Sequence, residues 1–300
     1  EILIGLVGSE MCIRDSINVV MMLWTIIIVL PFLLLFLSSI TDETALVANG
    51  YSFFPKKFSL ASYSYIIKSG GVILRAYGVS IVVTLVGTLL NVLLSALMAY
   101  PLSIKNLPGR KFMMFFVFFT MLFNGGIVPS YIMWTGTFHV KDTIFAQLLP
   151  NFLLSAWNVM MIRTYFTSSI PDGLYEAAEI DGASQFTIFW KIVLPLGKPI
   201  LVTMGTFAGL AYWNDWTNGL YYIVKRTDLF NVQNLLNQMV QNIQYIAQSS
   251  DANVGSAAAN IPATGIQMAI AFVAILPIML IFPSFQKYYA KGIALGAVKG

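Results

Sequence analysis

Six times along this sequence a run of about 20 apolar residues recurs, the length a helix needs to cross the hydrocarbon of a bilayer. The runs occupy 17–40, 77–104, 112–134, 144–162, 199–220 and 262–285. They do not alternate between apolar and polar residues, as the wall of a β-barrel would. Only 10% of the residues are charged and 58% are hydrophobic, with mean hydropathy +0.77. A soluble domain carries about 25% charged residues. The expected fold class is therefore an all-α membrane protein with six transmembrane helices. The formal net charge of +4 is spread over several loops, which reads as topology rather than nucleic-acid affinity.

The runs carry marks of helix packing in lipid. Pro31 lies inside the first, where neighbours can satisfy the freed carbonyl. The second holds Gly78, Ser80, Gly87, Ser95, Ala96 and Ala99, small residues that let helices approach closely. The third is interrupted at Asn124-Gly125-Gly126 and Pro129, and the sixth holds Pro277 and Pro283. Residues 1–16 do not read like the rest. The stretch Gly8-Ser9-Glu10-Met11-Cys12-Ile13-Arg14-Asp15-Ser16 resembles translated sequencing-adapter sequence. This segment is expected to be non-native or disordered, with a single transmembrane domain over 17–300; a short signal peptide is the rival reading.

Catalytic and metal chemistry find few residues to use. The chain has one cysteine, Cys12, and one histidine, His139, so a thiolate cluster, a His-based metal site or a His-containing triad is not expected. No G-x-x-x-x-G-K-[ST] loop occurs, so ATP is not bound in the P-loop manner. No metal ligand and no catalytic residue is assigned.

One polar, helix-forming island stands between the fourth and fifth runs. Pro171 suits a first helical turn, and Asp172 and Glu176 lie where the positive end of a helix dipole favours carboxylates. Leu174, Ala177, Ala178 and Asp181 share one helical face. Gly182 stands where a left-handed residue would end the helix, and Ser184 can cap a second one. Pro195 is expected to bend that second helix. The plain reading is a helical hairpin joining two spans.

The island also resembles the EAA loop of ABC importer permeases, E-A-A-x-x-D-G-A followed by I-x-L-P-x-x-x-P. Glu176, Ala177, Ala178, Asp181, Gly182, Ala183, Ile192, Leu194, Pro195 and Pro199 fill every position. The ending, from Ile261-Pro262 through Gln286-Lys287-Tyr288-Tyr289 to Gly300, is similar to that of carbohydrate permeases, in particular the branch that handles oligosaccharides. The resemblance covers residue 17 to the end. It implies a type I ABC importer permease fold with cytoplasmic EAA coupling helices. It implies a permease subunit of an ATP-driven, binding-protein-dependent oligosaccharide importer, not itself an enzyme. The implied partners are a second homologous permease, two cytoplasmic ATPase subunits that bind the ATP and magnesium, an extracellular sugar-binding protein and the lipid bilayer. The ATPase-coupling residues would be Glu176, Ala177, Ala178, Asp181, Gly182, Ala183, Ile192, Leu194 and Pro195. A permease for another solute, such as peptides or polyamines, is the alternative. A membrane-embedded enzyme would need an acid, nucleophile or metal set that the sequence lacks, and a scaffold would not need an ATPase-docking loop.

Basic residues give the orientation. Loops 105–111, 163–198 and 286–300 hold nine Lys or Arg, and the longer opposite loops hold seven. The denser set is expected in the cytoplasm of a bacterial cell, with both termini on that side of the inner membrane. Within the spans, Asn91, Asn124, Trp157 and Asn158 are candidates for a sugar path, since amides pair with hydroxyls and aromatic faces stack on sugar rings. Hydrogen bonding between helices is the rival use of those amides. Trp213-Asn214-Asp215-Trp216 resembles a family feature, with Asn214 a further path candidate. Asp215 is read either as a functional carboxylate or as an interfacial one. Gly219 replaces the proline usual near there. Lys287, Lys291 and Lys299 are read as headgroup anchors or neighbours of the ATPase pair.

Overall fold

The computed structural model describes the backbone of residues 2–68, 70–248 and 263–297. Apart from one isolated bridge between Thr41 and Phe58, its regular elements are helical. They fall into two compact units, one of residues 1–70 and 238–276, the other of residues 71–237 and 277–300.

In the first unit, α1 (Ile2–Ser39) carries Pro31 in its interior. Its large apolar side chains from Ile17 to Leu33 are exposed around the helix, a surface suited to hydrocarbon or to another apolar helix. The short α2 (Glu43–Asn49) and α3 (Ala61–Lys68) follow. Asp42 caps α2 through the Thr44 amide at 3.2 Å. The Glu43 carboxylate accepts the amides of Thr264 (2.9 Å) and Gly265 (2.8 Å) at the start of the last long helix. A carboxylate there satisfies two orphan donors and complements the helix dipole.

In the second unit, α4 (Gly70–Ser103) is 34 residues long, about 51 Å at 1.5 Å per residue and ample for a bilayer. Its buried positions include Ala76, Ser80, Val83, Gly87, Asn91, Ser95 and Ala99, a stripe of mostly small residues at three- and four-residue spacing. Against it lies α12 (Lys198–Asn214). A Cβ on Gly87 would stand 2.5 Å from the Tyr212 ring, and one on Gly209 would stand 3.2 Å from the Thr88 hydroxyl. The two helices therefore touch almost backbone to side chain.

Between them the chain runs through α5 (Arg110–Leu122), α6 (Ile127–Ile132), a π turn (Met133–Thr137), α7 (Phe145–Leu148), α8 (Ala156–Ser169), α9 (Asp172–Ile180), α10 (Gln185–Ile188), a second π turn (Phe189–Val193) and α11 (Leu194–Leu196). After α12 come α13 (Thr217–Tyr222), α14 (Val232–Gln248) and α15 (Ala263–Ala297), the last two crossing unit boundaries.

Six spans were expected, the third broken near Asn124-Gly125-Gly126 and Pro129; the described residues show that break but do not show six spans. Three helices are long and apolar enough to cross alone, at 15–39, 70–103 and 264–281. The count rises to five if two bent pairs each form one span: α5 with α6 and its π turn, bent by 111°, and 185–196 with α12, bent by 79°. The run 144–162 is not one helix. It is α7, a turn through Pro150 and Asn151, and then α8, whose first turn is capped by Ser155. Proline denies the continuing helix an amide, and the Ser155 side chain offers the new one a cap. The second bend falls at Gly197, two residues beyond the expected Pro195. The Phe166 ring would lie 2.6 Å from a Cβ at Gly197, so only glycine lets the chain turn against it. The side chains of Lys287, Lys291 and Lys299 lie outside the described residues.

Candidate functional site

The polar island folds as the sequence predicts at its turn. Gly182 has φ +74°, and its amide donates to the Glu179 carbonyl at 3.0 Å, while the Ala183 amide donates to the Ala178 carbonyl at 2.9 Å. This pair of bonds is a Schellman stop. The Ser184 hydroxyl then accepts the Thr187 amide at 3.3 Å and caps α10. Pro171 stands at the N-cap of α9, with Asp172 as the first helical residue.

One face of α9 is anchored. Ala178 is buried in a cluster with Tyr100, Leu102, Phe166, Ile170, Ile188, Phe189 and Val193, and Ala183, Ile192 and Leu194 pack against it. The rest of the helix surface is open, including Leu174, Ala177 and Asp181, which share the side of Ala178 by spacing, so only Ala178 of that set is buried. Glu176, Ala177, Asp181 and Gly182 are exposed, as is Pro195. Ile180 is 87% exposed and Phe186 66%, and Leu174 and Trp190 are also exposed. Apolar side chains presented together in this way mark an interaction surface.

Three polar contacts near the island had no signal in the sequence. The Tyr100 hydroxyl donates to Gln185 Oε1 at 2.5 Å, Gln185 Nε2 donates to Glu179 Oε1 at 2.8 Å, and Lys105 pairs with Asp172 at 2.5 Å. Tyr100 and Gln185 are 85 positions apart, so no local spacing could have revealed them.

The proposed path residues separate into two groups. Asn91 and Asn158 meet. Asn158 Nδ2 donates to Asn91 Oδ1 at 2.7 Å, and Asn91 Nδ2 donates to the Phe152 carbonyl at 2.6 Å. Both are buried, so these amides bond within the chain. Asn124, Trp157 and Asn214 are exposed, and Asn124 Oδ1 accepts the Gly126 amide at 2.8 Å in the turn between α5 and α6. A groove of about 560 Å³ runs along α4, α12 and the part of α15 from Pro277, lined almost wholly by apolar side chains. Thr84 and Thr88 lie on it, and their hydroxyls have no partner among the described residues.

Asp215 closes α12 and is buried. Its Oδ1 accepts the Thr217 amide (3.0 Å), the Thr217 hydroxyl (2.6 Å) and the Asn218 amide (3.3 Å). Asn231 Nδ2 reaches both the Asp215 carbonyl (2.7 Å) and Gln147 Oε1 (3.0 Å). Asn218 Nδ2 donates to the Pro150 carbonyl at 3.1 Å. This knot of amides joins three stretches of chain at the end of α12 away from the polar island. Gly219 lies within it, because a Cβ there would stand 2.0 Å from Asn234 Oδ1.

At the same end, Asp142 Oδ1 accepts the amides of Val224 (2.7 Å), Lys225 (2.7 Å) and Arg226 (3.2 Å). These amides, Lys225 first, hold the Asp142 carboxyl below its ordinary value. A lowered carboxylate stabilises the fold above its unfolded value and loses that contribution as pH falls through the folded one. The wild type should therefore lose more melting temperature than Asp142→Asn between about pH 7 and about pH 3. Equal losses in detergent melts would show that ionisation of Asp142 adds nothing to the loop clasp.

The comparisons agree with this architecture. Residues 82–295 match the model of the family described as binding-protein-dependent transport system inner membrane component. The chain is 36% identical to the polygalacturonan/rhamnogalacturonan transport system permease protein YtcP of Bacillus subtilis, over 93% of this chain and 96% of that one. It is 28% identical to the arabinooligosaccharides transport system permease protein AraQ of Halalkalibacterium halodurans, over 91% and 92% of the two chains. Among solved structures, a chain of a bacterial ABC transporter involved in the import of the acidic polysaccharide alginate superposes with TM-score 0.77. The identity is 25%, and the match covers 92% of this chain and 96% of that one. An apolar bundle of bent helices, with the type I importer fold and a family match over most of its length, is a membrane transport subunit, and this chain belongs to the binding-protein-dependent inner-membrane permease family of ABC importers.

Proposed function

We propose that this chain is one of two permease subunits of an oligosaccharide importer, driven through residues 172–195 by a cytoplasmic ATPase pair and fed by an extracellular sugar-binding protein. The observation that carries the coupling role is the two-sided packing of α9. Ala178 fastens it to the core, while Ile180 on its opposite side, and Phe186 on the following α10, are left outward. A helix held on one face and apolar on the other can be gripped by a partner and still move the core it belongs to. In this reading Glu176 makes polar contacts at the rim of the ATPase cleft. Ala177 allows close approach, Asp181 and Gly182 set the turn, and Ile192, Leu194 and Pro195 carry the motion toward α12. The denser basic residues of the loops on the island's side support a cytoplasmic placement for it and for both termini.

ATP binding by the partner closes the ATPase pair and moves both docked loops. The cores they are fastened to then shift between inward-open and outward-open states. Sugar passes from the binding protein along a path to which the exposed Trp157, Asn124 and Asn214 contribute. Asn91 and Asn158 brace the wall of that path through their mutual bond. An oligosaccharide cargo is supported by the likeness to permeases named for polygalacturonan, rhamnogalacturonan and arabinooligosaccharides.

Co-purification from native membranes tests the assembly. The chain should bring down a second permease, an ATPase and a binding protein. Vesicles holding that complex should accumulate labelled galacturonate or arabinose oligomers in preference to peptides or polyamines. Recovery of the chain alone would end the importer reading, and uptake of peptides instead would end the sugar assignment.

A further inference from the structure

We propose that Tyr100 and Gln185 are positioning residues that link the coupling loop directly to α4, so that the loop also drives a core helix to which it has no adjacent covalent tie. This rests on the coupling role of residues 172–195. The covalent routes out of the loop lead to α8, through Pro171 and Ile170, and to α12, through a π turn and the 79° bend at Gly197. A third route is built from side chains. Tyr100 lies in the last turn of α4 and is buried, 7% exposed. Its ring lies 5.4 Å from that of Phe189 and 6.4 Å from that of Tyr175, centroid to centroid, one from each limb of the loop. Its hydroxyl donates to Gln185 Oε1 at 2.5 Å, and Gln185 Nε2 donates to Glu179 Oε1 at 2.8 Å on α9.

The amide of Gln185 thus spans α9, α10 and α4, using its acceptor on one and its donor on another. The neighbouring Lys105–Asp172 pair is a weaker candidate for the link. Both its side chains are more than half exposed, at 58% and 59%, and exposed ion pairs contribute little. A buried ring clasped by two aromatics, with its hydroxyl fixed, resists displacement better. Farther along, α4 and α12 are locked at Gly87 and Tyr212, so two pulls at one end move the pair as a lever.

The test uses the complete importer in proteoliposomes, with uptake per ATP hydrolysed as the readout and the melting temperature as a check on folding. Tyr100→Phe removes the bond to α4, and Gln185→Leu removes both. Each should lower uptake per ATP by about fivefold or more, the scale of ordinary coupling energies, with the ATPase still bound. Gln185→Glu sets two carboxylates against each other and should also uncouple. Adding Glu179→Gln restores a donor–acceptor pair with the roles exchanged and should recover most of the loss. Wild-type ratios in Gln185→Leu, or a double variant no better than Gln185→Glu, would overturn the link. A wild-type assembly that retains no ATPase would instead overturn the coupling role beneath it.

Discussion

Gly87→Val should leave little folded protein, because the Tyr212 ring already fills the space a side chain would need. Three ring carbons lie 2.5–2.7 Å from where the Cβ would stand. The ring is 1% exposed, packs against Phe152 at 5.3 Å, and donates its hydroxyl to the Leu148 carbonyl at 2.9 Å. It has nowhere to go. Even Gly87→Ala sets two effects against each other. Alanine favours a helix over glycine by about 1 kcal/mol, whereas overpacking costs about 1–3 kcal/mol. The rigid ring puts this site at the upper end, so alanine should lower the melting temperature and valine should lower it much further. Thermal melts in detergent would decide the sign, and an alanine variant as stable as the wild type would show that the seam relaxes. A double-mutant cycle sharpens the test. Gly87→Ala with Tyr212→Leu should cost less than the sum of the two, because the leucine vacates what the methyl enters.

The parts of this chain that the sequence predicted are those governed by short offsets. The Schellman stop joins Ala178 to Ala183 and Glu179 to Gly182, and the Ser184 cap reaches three residues on. Each is a local decision of glycine or serine chemistry. The runs at 17–40 and 77–104 likewise became long helices, carried through Pro31 and Pro101 by the apolar residues on either side. The run at 144–162 is apolar enough for a span, yet Pro150 and the Ser155 cap divide it. Composition counts apolar residues without weighing where a helix must stop. The buried amides were the least legible. Asn91 and Asn158 could be read as path residues or as amides bonded between helices, and the sequence did not say that each is the other's partner across 67 residues. Asp215, Asn231 and Gln147 form one knot from three separate stretches of chain. Tyr100 lies in an apolar run and carries no mark of its bond to Gln185. Such pairs follow from which helices lie side by side, and a single sequence does not contain that.

Gly182→Val should abolish uptake while the chain stays inserted and folded, and the reason is backbone rather than bulk. Nothing lies within 4 Å of a Cβ built on Gly182, so a larger side chain meets open space. Its φ of +74° is the obstacle. A β-branched residue held there costs about 1–3 kcal/mol, a strain that two exposed hydrogen bonds at about 1 kcal/mol each do not comfortably hold. The Schellman stop should therefore open. Ile180 and Asp181 would then lose their fixed placement relative to Phe186 and Trp190, which is what a docking partner reads. The anchored face, with Ala178 in its cluster, should keep the global fold, so the melting temperature should change by only a few degrees, about what 1 kcal/mol shifts in a chain of this size. Asparagine tolerates the left-handed region far better than valine, so Gly182→Asn should keep most uptake and most of the bound ATPase. If valine and asparagine impair transport equally, the ATPase contacts the glycine surface itself and the turn geometry is not the cause. If valine leaves uptake intact, the turn does not transmit motion, and the coupling role has to be sought elsewhere on the chain.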